Sequence, residues 1–236
     1  MRDGVRIVDG VSAPVEEQLR RLARHDTCAV SDALERTGRS GVLTGLSRVT
    51  TESRVAGIAV TMQLGPAGAE KPAHHLGARA VEASDARSVI VVAGGSLECG
   101  GWGGLLSRAA LFAGVRGTVV DGLARDVDEA AELGFPVFAR GVTPVTARGR
   151  QVEVSCGEPV VVGGVPVSPG DLVLADGSGV VVVPAEAVDE VLDAADEIAD
   201  REAAMVGRLR AGEPPSAVMD RSYETMLEVD GERTTG

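Results

Sequence analysis

Aromatic residues are nearly absent from this chain: one Trp, one Tyr and three Phe among 236 residues. Its core must therefore be built from Val, Leu, Ile and Ala, a composition that suits parallel strands buried under helices. Lysine is scarcer still, with Lys71 the single copy, in the polar stretch AGAEKPAHH. A Schiff-base mechanism needs a desolvated lysine of lowered pKa. Lys71 is a poor candidate, so any carbon–carbon bond chemistry would call on a metal to withdraw electrons. The three cysteines, Cys28, Cys99 and Cys156, are scattered and form no CxxC pair. That pattern indicates neither a zinc knuckle nor a disulfide framework, and it fits a reducing cytoplasm. Clustered positive charge is missing too: there is no Lys/Arg run and the net charge is −12. Direct binding to nucleic acid is thereby disfavoured. No segment reaches membrane-spanning length, and the N-terminus has no apolar signal region. The expectation is a soluble cytoplasmic protein with no membrane partner.

What is present is a core-forming share of hydrophobic residues, 44%, and 31 glycines for turns and close backbone approaches. Apolar spacing predicts a helix over 14–24 and another over 30–37, with Ser31 or Asp32 near its start. GIAVTMQL (57–64) and SVIVVAGG (88–95) read as strands, with a helix between them over 72–84. GTVVDG (117–122) and FPVFAR (135–140) add two more strands. From Pro159 the pattern changes to hairpins, with turns at Gly163-Gly164 and Asp176-Gly177. A long amphipathic helix over 188–209 follows, with Val188, Val191, Leu192, Ala195, Ile198, Met205 and Leu209 on one stripe. Gly212 stops it, and a polar tail runs to Gly236. These elements predict an α/β or α/β/α sandwich fold.

The segment from Gly100 to Glu129 carries the densest chemical signal: GGWGGLLSRAALFAGVRGTVVDGLARDVDE. A right-handed crossover from strand 88–95 through helix 105–113 to strand 117–121 makes the strands parallel. The glycine loop and the Arg125-Asp126 pair then meet at one sheet edge, where open α/β sheets bind ligands. Glycine-loop amides at a helix N-terminus suit an anion, and a carboxylate beside them suits a metal. Structural readings compete with each of these. Asp126 and Glu129 have the spacing of a capping box, and the loop also reads as a plain turn. Trp102 fits a packing anchor as well as a pocket wall. His74 and His75 are adjacent, so they point apart on a helix and cannot easily share an ion. Asp32, Glu35 and Glu202 are candidate bases that read equally as solvated helix residues.

The blocks SDALERTG (31–38), residues 100–141, PGDLVLADGSGVVVVP (169–184) and REAAMVGRLRAGE (201–213) occur in an order that resembles the RraA-like family. That family includes the 4-hydroxy-4-methyl-2-oxoglutarate/4-carboxy-4-hydroxy-2-oxoadipate aldolases, oxaloacetate decarboxylases and a regulator that inhibits ribonuclease E. The resemblance implies an α/β/α sandwich related to swivelling phosphohistidine domains, as one domain over 1–213 with a polar tail over 214–236. It also implies a homotrimer or hexamer with sites between subunits.

Carried onto this chain, the resemblance makes Asp126 the binder of Mg²⁺ or Mn²⁺, largely through waters. Arg125 would stabilise a pyruvate enolate, and amides around Gly103, Gly104, Leu105 and Leu106 would grip the pyruvyl carboxylate. The implied function is a metal-dependent carbon–carbon lyase acting on a small 2-oxo acid, as aldolase, oxaloacetate decarboxylase or both. A non-catalytic regulator of a protein partner, or another enolate reaction, is the alternative. One position departs from the family's aldolases. They carry an acidic residue separated from the Arg-Asp pair by twenty residues, and Gly104 stands there in this chain. Glu98 or a neighbouring subunit's carboxylate is the expected substitute.

Overall fold

The computed structural model describes residues 13–225 and 227, apart from 51, 70 and 71. Lys71 thus lies outside the described residues. Helices α1 (Ala13–Leu22) and α2 (Thr27–Arg36) open the chain, followed by β1 (Ser47–Arg48), β2 (Val55–Pro66) and α3 (Ala78–Glu82). Next come β3 (Ser88–Ala93), β4 (Gly100–Trp102), α4 (Gly104–Phe112), β5 (Gly117–Ala124), α5 (Val127–Glu132) and β6 (Val137–Val142). Strands β7 (Gln151–Cys156), β8 (Val160–Val162), β9 (Val165–Val167), β10 (Leu172–Ala175) and β11 (Val180–Val183) lead to the long α6 (Val188–Arg210). Two short helices, α7 (Pro215–Val218) and α8 (Arg221–Glu224), follow within the polar tail.

The main sheet runs β1-β6-β5-β3-β2-β10-β11, with β4 added to β5 and β7 to β2. Pairings β2–β3, β3–β5 and β5–β6 are parallel, as the crossover argument requires. Val42 bridges Val181 on β11, and a few residues later β1 pairs with β6 at the opposite edge. The sheet therefore curls until its edges nearly meet. This is the α/β architecture expected, with two helical layers outside a strongly curved sheet.

Side-chain alternation sorts the curled sheet into an inside and an outside. On β3, Val89, Val91 and Ala93 point into an inner aliphatic core with Val119, Val173 and Val182. The β8–β9 hairpin seals that core with Val160, Val162, Val165 and Val167. Its turn is Gly163-Gly164, with φ of 56° and 86°, as a hairpin turn with two left-handed residues demands. Ile90 and Val92 face outward, where α3, α4 and α5 cover them through Ala80, Leu106, Ala110 and Ala130. Each such side chain taken fully from water contributes about 1.5–3 kcal/mol.

The second outer layer packs α1, α2 and α6 on Leu172, Leu174, Val181 and Val183. The acidic sequence of α6 is matched by arginines on α1, on α2 and just past the end of α2. Arg21 reaches Asp193 and Asp196 at 2.7 Å, Arg36 reaches Glu197 at 2.7 Å and Arg39 reaches Glu190 at 2.7 Å. Buried His25 adds a 2.9 Å contact to Asp196.

Several sequence expectations shift. Helix α2 starts earlier than expected, because Asp26, not Ser31 or Asp32, caps it by accepting from Ala29 N–H at 2.8 Å. The helix expected over 72–84 shrinks to Ala78–Glu82, since Gly77 adopts φ 80° and breaks the run. Half of the expected glycine loop is strand β4, which the carbonyl and amide groups of β5 recruit. Strand β7 was not foreseen. On α6, burial ends at Ile198, and Leu209 is exposed.

Candidate active site at the α4–β5–α5 edge

Strand β5 runs to Ala124, so Arg125 and Asp126 leave directly from its carboxyl end. Beside it, β4 places Gly100 opposite Leu123 and Trp102 opposite Ala124. Arg125 N–H then donates to the Trp102 carbonyl at 2.9 Å, which locks the pair onto the glycine segment. Trp102 is 1% exposed and stacks on Phe135 with ring centroids 6.4 Å apart. Its Nε1–H donates to Ser107 Oγ at 3.0 Å, and Ser107 in turn donates to the Gly103 carbonyl at 3.1 Å. Trp102 is thus the buried anchor of the loop, and it also contributes to the cavity wall.

The glycines are a bed for the charged pair. A Cβ at Gly103 would stand 2.9 Å from Asp126 Oδ2 and 3.0 Å from Arg125 Cγ. Gly104 N–H donates to Asp126 Oδ2 at 3.1 Å, and Arg125 Nε donates to the same oxygen at 3.2 Å. One of the amides expected to hold a substrate carboxylate is therefore engaged by Asp126. Those of Leu105 and Leu106 lie in the first turn of α4, where a helix offers no intrahelical acceptor.

Asp126 has φ 54°, the one left-handed non-glycine residue among those described. In that conformation it makes no side-chain cap on α5. The capping-box reading of Asp126 and Glu129 is therefore overturned: Asp126 turns to the loop, and Glu129 accepts from Arg108 Nε at 2.5 Å. Such backbone strain is typical of residues held in place for function.

Arg125, Asp126, Gly103, Gly104, Leu105 and Leu106 all line one cavity of about 370 Å³. His75, Glu82, Thr146 and Arg148 line the same cavity, with Thr146 bridged to Gly100 beside the glycine segment. His75 Nδ1 lies 2.7 Å from the Leu76 carbonyl, which can only accept, so Nδ1–H donates there. His74 instead sits 3.8 Å from Glu153. Glu153, 2% exposed on the unforeseen β7, accepts from Gly77 N–H at 2.9 Å and fixes the turn behind His75. Sequence reasoning missed Arg148 and Glu153, because a lone arginine in a loop and a glutamate in a polar strand carry no motif. Asp32, Glu35, Glu98 and Glu202 are not among the residues lining the cavity. Burial and the neighbouring carboxylates Glu35 and Asp26 raise the pKa of Asp32.

Among the described residues no group of three or more His, Cys, Asp or Glu side chains could enclose a metal ion. A divalent cation at this edge would therefore take Asp126, with water and substrate oxygens completing its shell, a set that fits Mg²⁺ or Mn²⁺. No described helix is long and apolar enough to cross a membrane.

Residues 27–182 match the family described as RraA-like, Aldolase/RraA. The chain is 32% identical to the protein DlpA of Legionella pneumophila over 74% of its own length, which is 29% of that longer protein. It is 32% identical to a Halalkalibacterium halodurans protein named "Putative 4-hydroxy-4-methyl-2-oxoglutarate aldolase", over 72% of this chain and 77% of that one. The crystal structure of Streptomyces coelicolor RraAS2, described as an unusual member of the RNase ES inhibitor RraA family, superposes with a TM-score of 0.73. That match has 32% identity and covers 82% of this chain and 97% of the other. On the matched span and the superposed fold, this chain belongs to the RraA-like family.

Proposed function

We propose that this protein is a divalent-metal-dependent carbon–carbon lyase that acts on a 2-oxo acid through a pyruvate enolate. The observation that carries this reading is the seating of Arg125 and Asp126 together against Gly103 and Gly104 in the cavity. Retro-aldol cleavage breaks the C3–C4 bond of a 4-hydroxy-2-oxo acid. The electron pair stays on C3 as pyruvate enolate, and C4 departs as a carbonyl after losing its hydroxyl proton. Loss of CO₂ from oxaloacetate leaves the same enolate. Arg125 is placed to balance the negative charge that gathers on the enolate oxygen, and the Leu105 and Leu106 amides to hold the carboxylate. Bound at Asp126, Mg²⁺ or Mn²⁺ would supply Lewis-acid polarisation of the 2-oxo group. The name borne by the Halalkalibacterium relative supports the aldolase arm.

The reading includes a homotrimer or hexamer in which a neighbouring copy closes the cavity. It is supported by Leu105 and Phe112, 75% and 85% exposed on the helix that lines the cavity. The test is a pyruvate-release screen over oxaloacetate and several 4-hydroxy-2-oxo acids, with Mg²⁺, Mn²⁺ or EDTA. Metal-stimulated pyruvate release from at least one is the expected result; none from any would sink the reading. A second reading, a regulator binding a ribonuclease, is favoured by the likeness to RraAS2. A stable complex with a ribonuclease, together with an empty substrate screen, would select it.

A further inference from the structure

Cleavage of a 4-hydroxy-2-oxo acid needs a group that takes the C4 hydroxyl proton, a task that loss of CO₂ from oxaloacetate does not include. Among the titratable side chains lining the cavity, Arg125 and Arg148 are cations with no lone pair to offer. Asp126 already accepts from Gly104 N–H and Arg125 Nε on one oxygen. That leaves His75 and Glu82.

His75 is the one held in place. Its Nδ1–H donates to the Leu76 carbonyl at 2.7 Å, so the neutral ring keeps its lone pair on Nε2. The turn that carries it is docked on the site itself. Gly77 is left-handed, with φ 80°, and a Cβ there would stand 3.1 Å from Leu106 Cδ1 and 3.5 Å from Trp102 Cζ3. Gly77 N–H donates at 2.9 Å to the buried carboxylate of Glu153. Arg79 Nε stands 3.3 Å from the other Glu153 oxygen and balances its charge. The imidazole is thus carried by a turn packed against Leu106, whose backbone amide belongs to the first turn of α4. Glu82 sits at the other end of α3 from that docked turn.

We propose that His75 is the base of the aldol reaction, its Nε2 taking the C4 hydroxyl proton as the C3–C4 bond breaks. The O–H electron pair becomes the second bond of the C4 carbonyl, and the C3–C4 pair passes to the pyruvate enolate. Water supplies the proton that C3 then takes, and the imidazolium returns its own proton to solvent, so no co-reactant is consumed. The inference rests on the lyase reading above and narrows its substrates to 4-hydroxy-2-oxo acids.

The test sets His75→Ala beside wild type on two reactions, each followed as pyruvate release with Mg²⁺ or Mn²⁺ present. On a 4-hydroxy-2-oxo acid, kcat should fall about 10²–10⁴-fold, the usual contribution of a positioned base. Oxaloacetate has no hydroxyl proton to lose, so its decarboxylation should fall at least about tenfold less. Added imidazole should restore aldol turnover to His75→Ala in proportion to its concentration, which a merely structural loss would not allow. His75→Gln, polar but not basic, should show the same split and serves if the alanine variant fails to fold by circular dichroism. Where oxaloacetate is not a substrate, imidazole rescue decides: its presence supports His75 and its absence removes it. If folded His75→Ala cleaves the hydroxy acid like wild type, or loses both reactions equally without rescue, the inference falls and the lyase reading stands. Loss confined to Glu82→Gln would pass the role to Glu82 and likewise overturn it. Wild type that decarboxylates oxaloacetate but cleaves no hydroxy acid leaves the base without a task, and wild type that releases pyruvate from nothing ends both readings.

Discussion

Arg125 lies directly against Gly100: a Cβ built on Gly100 would stand 2.9 Å from Arg125 Cγ and 3.0 Å from its Cβ. These contacts are with the rooted part of the side chain, which has little room to retreat. Gly100→Ala is therefore expected to displace the guanidinium and lower kcat by up to about 10²-fold. Arg125→Ala should cost ~10²–10³ in kcat, the usual loss when a donor to a developing oxyanion is removed. Steady-state pyruvate release, with a melting curve for each variant, checks both. Near-wild-type turnover in Arg125→Ala would remove Arg125 from the chemistry.

Replacements at Asp126 should separate backbone from side chain. Asn tolerates the left-handed conformation and still offers an acceptor to Gly104 N–H, whereas Ala does neither. Asp126→Ala should thus be about 1–2 kcal/mol less stable than Asp126→Asn in urea unfolding, although both lose activity. Equal stabilities would mean that the strain at residue 126 is relieved elsewhere.

Trp102→Phe keeps a six-membered ring against Phe135 but removes the indole donor to buried Ser107 together with the volume of the second ring. The expected loss is about 1–3 kcal/mol for the unsatisfied hydroxyl acceptor. Far-ultraviolet dichroism during urea unfolding measures it independently of the missing indole. A loss of about 3–5 kcal/mol, typical of removing the whole side chain, is expected for Trp102→Ala.

Acid should loosen the chain at Asp176, which ties α2 to the β10–β11 hairpin. Burial pushes its pKa up, but bonds from Thr27 Oγ1 at 2.7 Å, Thr27 N–H at 2.9 Å and Ser178 N–H at 2.9 Å outweigh it and hold the value low. A carboxyl lowered on folding contributes fully above its unfolded pKa of about 3.9, and that contribution fades as pH falls through the folded value. Asp176→Asn should therefore cost about 1–3 kcal/mol at pH 7, with the gap from wild type narrowing below about pH 4. A pH-independent gap in urea unfolding would contradict this.

The α4–β5–α5–β6 path was legible because buried aliphatic runs alternate there with helical spacing, and because crossover handedness leaves one arrangement. Arg125-Asp126 was legible for the same reason. Strand β4 was hidden because its two glycines outweigh the strand preference of Trp102, and the segment is held by the end of β5. Strand β7 was hidden because it inverts the usual alternation: the polar side chains of Gln151 and Glu153 turn inward while Val154 is exposed. The curl was hidden because it depends on the bridge from Val42 to Val181, a pairing between distant residues. Glu129 was misread because a glutamate three residues after an aspartate has the spacing of a helix cap, and only the left-handed turn at Asp126 cancels that reading.

Arg125 and Asp126 and the glycine segment that seats them come from one uninterrupted stretch, from Gly100 through Asp126, while His75 and Arg148 reach the cavity lining from separate segments. That arrangement makes the protein a cassette on a chassis. The stretch carries its own tethers, from Arg125 N–H to the Trp102 carbonyl and from Gly104 N–H to Asp126. The segments that bring His75 and Arg148 to the cavity are separate from it, so the two parts of the lining are free to change independently.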